Sequence, residues 1–119
     1  MPGQANACLL KTSPLENSYT ASPGLLTLVV VSTVGAVAFD PAATEVTDQN
    51  GKGPPDWKCA ATKMTFTLVK GNTYHLDVSF VFANPDKDTG VIKESCPAPQ
   101  LNDTITSPAF TPDYTIMVS

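Results

Sequence analysis

The sequence predicts an all-β protein, an antiparallel sandwich or barrel of about six to eight strands. Three observations carry this. Ala61–Ala83 alternates apolar and polar residues: Met64, Phe66 and Leu68 against Thr65 and Thr67, then Tyr74, Leu76, Val78, Phe80 and Phe82 against Thr73, His75, Asp77 and Ser79. Successive side chains on a strand point to opposite faces, so each of these segments has one dry face. Leu25–Phe39 carries no charge and is rich in β-branched residues. Fifteen Thr and eleven Val favour strands, while eleven Pro interrupt any long helix.

The 119 residues suit one domain with a core of its own. The expected division is an extended N-terminal arm over 1–23 followed by a single domain over 24–119. Charged residues make up 15%, well below the usual ~25%. The net charge is −4 and there is no Arg, which argues against nucleic acid as a partner and against bidentate clamps on phosphate or carboxylate.

Along the chain, Met1–Pro23 has three Pro, few apolar residues and no period, and reads as an extended arm or tail. Leu25–Phe39 has three readings. As a membrane helix its fifteen residues span only ~22 Å of a ~30 Å hydrocarbon core, and Pro23 and Pro41 block extension. As a signal sequence it follows too long a leader, with only Lys11 for positive charge and with Glu16 present. As a pair of strands broken near Ser32–Gly35, apolar on both faces, it fits a sandwich core, and this reading is preferred. Pro41–Pro55 is loop, with Asn50-Gly51 and Gly53-Pro54-Pro55 as turn signals and Glu45-Val46-Thr47 as a short strand or one helical turn. Trp57 is a core or rim aromatic, or a platform for stacking a sugar.

The central stretch admits two topologies. A direct hairpin with Gly71 or Asn72 in a three-residue loop pairs Val69 with Thr73 and sets Leu68 opposite Tyr74, Phe66 opposite Leu76 and Met64 opposite Val78. In the alternative the chain crosses between two sheets. Leu68-Val69-Lys70-Gly71-Asn72-Thr73-Tyr74 resembles the tyrosine corner of immunoglobulin and fibronectin type III sandwiches, a Leu six residues before a Tyr that opens a strand. The resemblance covers seven residues. It departs at Lys70, where fibronectin type III domains usually carry Pro, and it implies at most an immunoglobulin-like architecture with no function attached; a jelly-roll-like sandwich is the other form the fold class admits.

Asn84-Pro85-Asp86-Lys87-Asp88-Thr89-Gly90 places oxygen-bearing side chains at alternate positions, as the start of an EF-hand calcium loop does. Its Gly stands one position late, and Ser95 occupies the twelfth position. A polar hairpin loop is the competing reading. Asn84, Asp86 and Asp88, with Trp57, are the candidate ligand-binding residues, and calcium is the one cofactor considered. Val91-Ile92-Lys93 starts a further strand that Cys96-Pro97 ends. Asn102-Asp103-Thr104 is a glycosylation sequon of a kind that arises by chance among six Asn and many Ser and Thr. Asp113–Ser119 ends the chain as a strand, expected at a sheet edge because Pro108 and Pro112 precede it.

No catalytic constellation is visible. His75, Asp77 and Ser79 lie on one strand face, but alternate residues are ~7 Å apart, too far for a nucleophile relay. The three cysteines, Cys8, Cys59 and Cys96, form no C-x-x-C pair, and one His makes a zinc site improbable. A Cys59–Cys96 disulfide would imply an oxidising compartment; a meander of strands would keep the two ~20 Å apart, whereas a crossing between sheets could bring them together. Two function classes remain. One is a non-enzymatic structural or assembly subunit of a fibre, coat or envelope layer, extracellular or virion-associated, self-associating through the N-terminal arm and the C-terminal strand. The other is an extracellular ligand- or carbohydrate-binding module.

Overall fold

A computed structural model describes residues 18–32, 35–94 and 102–119, with only the backbone of Asn102. These residues form eleven strands and no helix: β1 (Ser18–Ala21), β2 (Gly24–Val31), β3 (Val37–Phe39), β4 (Glu45–Thr47), β5 (Lys58–Cys59), β6 (Lys63–Leu68), β7 (Thr73–Asp77), β8 (Phe80–Phe82), β9 (Gly90–Glu94), β10 (Asn102–Ile105) and β11 (Asp113–Val118). The count exceeds six to eight because β3, β4, β5 and β8 are only two or three residues long. Such short pieces carry too few residues to show a period.

One sheet has the order β10-β9-β2-β6-β5, the other β1-β11-β7-β4, and β3 pairs with β8 apart from both. Every pairing is antiparallel except β1 with β11. Sheets of this kind bury one face each, and the burial pattern follows. Leu26, Leu28 and Val30 of β2 and Met64, Phe66 and Leu68 of β6 join Tyr74 and Leu76 of β7, and Tyr114, Ile116 and Val118 of β11, in one core. Phe66 and Tyr74 meet across the two sheets, ring centroids 5.2 Å apart at 59°.

Met64, Phe66, Leu68, Tyr74, Leu76, Val78, Phe80 and Phe82 are buried, as their alternation predicts, while Val69 and Val81, which fall outside it, are exposed. Thr67, His75 and Asp77 are exposed, and Thr65 and Ser79 half-buried. The direct hairpin is overturned. β6 pairs with β2, setting Phe66 beside Leu26 and Met64 beside Leu28, whereas β7 pairs with β11 and β4 in the other sheet. The chain crosses at Val69–Asn72, where Gly71 takes φ +88°, a conformation that suits Gly. The Tyr74 hydroxyl accepts hydrogen bonds from Val69 N–H and Asn72 Nδ2, both at 3.1 Å. Gln49 fastens the same loop, donating to Asn72 Oδ1 (3.1 Å) and accepting from Thr73 N–H (3.0 Å).

The second half of the central stretch is two strands. β7 stops at Asp77, and Val78 N–H donates to Pro112 O at 3.0 Å. The buried Thr44 side chain then serves both backbone groups of Ser79, accepting from its N–H (3.1 Å) and donating to its carbonyl (3.2 Å). Neither Gly nor Pro marks this break. Beyond it β8 turns to β3, and Phe39 and Phe80 stack at 5.6 Å.

Within Leu25–Phe39 the described residues form strands, as expected: β2 runs to Val31 and β3 starts at Val37. Only one face of β2 is sealed: Leu25 is 49% exposed and Val31 38%. Glu45–Thr47 is a strand, and Asn50-Gly51 a turn in which Asp48 Oδ1 accepts from the N–H groups of Asn50 (2.8 Å) and Lys52 (3.0 Å).

The N-terminal boundary also differs. Of the expected arm over 1–23, residues 1–17 lie outside the described residues, while Ser18–Ala21 forms β1 and buries Tyr19 and Ala21 in the core. This removes the expected edge at the C-terminal strand: β11 has β7 on one side and β1 on the other. Pro112 does not conflict with this inner position, because it precedes the ladder and offers only its carbonyl. No helix among the described residues is long and apolar enough to cross a membrane.

Candidate functional site

The four candidate ligand residues do not share a surface. Trp57 precedes β5, whose Lys58 pairs with Thr65 and so lies level with Thr27 of β2. The Asn84–Gly90 loop enters β9, which reaches Val31 at the other end of β2. The two places are separated by about 13–16 Å along the strands and three strand spacings, about 14 Å, across them. Trp57 is half-buried against the core, with its Nε1 enclosed, so it is a rim aromatic rather than an open platform. Asn84 and Asp86 are exposed, whereas Asp88 is 3% exposed and turned inward. Its Oδ2 accepts from Asn84 N–H at 2.6 Å, and its own N–H donates to Asn84 O at 2.7 Å. Asp88 therefore staples the loop from beneath. Gly35 packs on it so closely that any side chain there would displace the carboxylate.

Among the described residues no three His, Cys, Asp or Glu side chains group to hold a metal ion. Cys59 is a half-buried free thiol; burial, and then the charge of Asp40, push its pKa up. Cys96, its expected partner, lies outside the described residues. His75 is hydrogen-bonded through Nδ1 to Thr115 Oγ1 at 3.2 Å and stands on the exposed face.

That exposed face carries a row of acids that the linear sequence hides. Glu45 and Asp113 flank Asp77 as its two cross-strand partners. Burial, then the charge of Asp113, raise the Asp77 pKa, with His75 opposing. A carboxyl whose pKa rises on folding binds its proton more tightly in the folded state, so stability falls as pH rises through that pKa. Asp77→Asn should therefore raise the urea midpoint at pH 7, by a share of the ~0.2–1 kcal/mol typical of cross-strand pairs. The gain should vanish near pH 3, where both side chains are neutral. Asp56 has the opposite sign: Thr67 donates to it from Oγ1 (2.6 Å) and N–H (3.2 Å), which lowers its pKa and withdraws stability in acid.

The remaining place is the seam where β1 joins β11. Ser18 through Ala21 pair in parallel with Thr115 through Val118. Tyr19 and Tyr114 meet at 6.1 Å, tilted by 53°. The Tyr114 hydroxyl donates to Asp103 Oδ2 at 2.6 Å, tying β11 to β10 of the opposite sheet. Burial, then this bond, hold the Tyr114 phenol protonated far above the usual range. Ser119 N–H closes the seam on Ala21 O at 3.1 Å. No family model, curated protein or solved structure matches the chain. The seam is the place where a segment outside the antiparallel framework completes the core. Sequence reasoning missed it because Tyr19 and Ala21 alone make too short a pattern to signal a strand.

A shallow groove of about 460 Å³ lies at the end of the sandwich, lined chiefly by Ala36, Ala38, Ala61, Val81 and Ala83. Its walls are small and apolar, with Ser32 and Thr62 as the polar members.

Proposed function

We propose that the protein is a non-enzymatic structural or assembly subunit, a small immunoglobulin-like sandwich that acts through protein–protein contacts at an extracellular or virion surface. The β1–β11 seam is the observation that carries this reading. A four-residue strand whose backbone ladder and two anchors complete another strand's edge is the unit of recognition by strand addition. The low charge content fits a surface that packs against protein rather than against nucleic acid. The immunoglobulin-like part is supported by the order β2-β6-β5 facing β4-β7-β11, with the tyrosine corner leading into β7. β9 and β10 depart from it by occupying the edge beside β2.

Native mass measurement on the full chain, from micromolar to near-millimolar concentration, should show oligomers that grow with concentration. A chain that stays monomeric throughout, with a mobile N-terminus by NMR, would exclude self-assembly. A ligand-binding module is the second reading, and the Ala36–Ala83 groove favours it over Trp57 and the Asn84–Gly90 loop, since the groove is concave and in the size range of small-molecule sites.

A further inference from the structure

We infer that β1 is an exchangeable strand, and that the partner fitted to the seat beside β11 is β1 of a second copy of the chain. The inference rests on the assembly reading above and gives it a mechanism. In the closed monomer β1 packs extensively on β11 alone among the described elements. The seat is backbone on one side, four rungs from Ser18↔Thr115 to Ala21↔Val118, and two sockets on the other, for Tyr19 and Ala21. A second copy presents the same four residues, so exchange restores every rung and both sockets, and the two arrangements differ only in the link between strands.

That link is short. Ala21 lies in one sheet and Gly24 in the other, joined by Ser22 and Pro23. Packed sheets stand ~10 Å apart. Three Cα–Cα steps of ~3.8 Å reach at most ~11 Å, so the crossing is close to full extension. Pro23 fixes one of the torsions, and Gly24 takes φ +142°, where a side chain is disfavoured. A short stiff link between two halves of a core favours opening, and an opened β1 finds on another copy the same seat that it leaves on its own. The alternation of β1 sets the register: slippage by one residue would turn Tyr19 and Ala21 out of their sockets.

Deleting Ser22 and Pro23 from the full chain tests this. Ala21 and Gly24 then stand ~3.8 Å apart and cannot lie in two sheets ~10 Å apart, so β1 cannot close on its own β11. The expected result is a native mass of at least twice the monomer with a β circular-dichroism spectrum retained. A folded monomer would overturn the inference. Should the deletion not fold, a variant with the original link decides. Thr20 and Met117 are opposite in register and both exposed. Thr20→Cys with Met117→Cys, in a chain whose Cys8, Cys59 and Cys96 are replaced by Ala, is oxidised over a range of concentrations. A covalent dimer whose share rises with concentration, absent from both single-cysteine controls, supports exchange. Disulfides that stay within one chain at every concentration overturn it. Oligomers in the parent chain combined with intrachain disulfides would leave assembly standing and remove exchange; a monomer throughout removes both.

Discussion

Replacing Phe66 by Ala should cost about 3–5 kcal/mol, a large part of the ~5–15 kcal/mol that holds a domain of this size. Phe66 is 1% exposed, pairs with Leu26 across β2 and β6, and meets Tyr74 of the opposite sheet at 5.2 Å. It therefore joins the two sheets as well as filling space. Truncation removes the buried ring and leaves a cavity bounded by two backbones that cannot both collapse inward. Urea unfolding should show the midpoint falling steeply at an unchanged slope. Val69→Ala is the control: at 52% exposure it should change stability by less than about 0.5 kcal/mol. Equal effects from the two would mean that the alternation does not mark the core.

The faces of the strands were legible in the sequence, but their neighbours were not. Period-two alternation tells which side chains go inward. It is the same whether two strands lie edge to edge in one sheet or face to face in two, because either arrangement buries Met64, Phe66 and Leu68 against Tyr74, Leu76 and Val78. Choosing between them needs knowledge of what else covers each strand. Here β2 takes the place beside β6, and β11 and β4 take the places beside β7. The uncharged run supplying β2 was visible as strand material, yet nothing in it names β6 as its partner.

The breaks and the seam were hidden for a different reason. Ser79 turns the chain because Thr44, thirty-five residues earlier, bonds both of its backbone groups and Asp40 N–H donates to the same carbonyl at 2.9 Å. Tyr19 enters the core because β11 offers it an edge in parallel register. Both are long-range contacts between residue types that also occur in ordinary loops. The candidate binding set suffered in the same way. Alternate oxygen side chains at Asn84, Asp86 and Asp88 suggested ligands, but burial turns Asp88 inward to serve the Asn84 amide. Spacing in a loop does not fix direction as it does in a strand, so the pattern could not separate a staple from a ligand. The acid row Glu45–Asp77–Asp113 shows the reverse: three residues far apart in sequence meet only through two ladders.

The corner is both legible in a local motif and carried by named bonds, and Tyr74→Phe tests it. The substitution keeps the ring against Phe66 and removes the oxygen that accepts from Val69 N–H and Asn72 Nδ2. A partly buried N–H left without an acceptor costs about 1–3 kcal/mol, so the variant should lose stability by that amount with the fold intact. Because the phenolic oxygen is the acceptor for Val69 N–H, amide exchange at Val69 should accelerate with little change at Phe66 or Leu76. Tyr114→Phe separates this from a general loosening: it removes the bond to Asp103 at the far side of the core and should leave Val69 exchange as it was. The competing account is that the crossing is held by the ladder from the C-terminal strand, where Gly71 N–H donates to Val118 O and Val118 N–H to Asn72 O, both at 2.9 Å. On that account Tyr74→Phe costs less than about 0.5 kcal/mol, Val69 keeps its protection, and the tyrosine is a packing residue only.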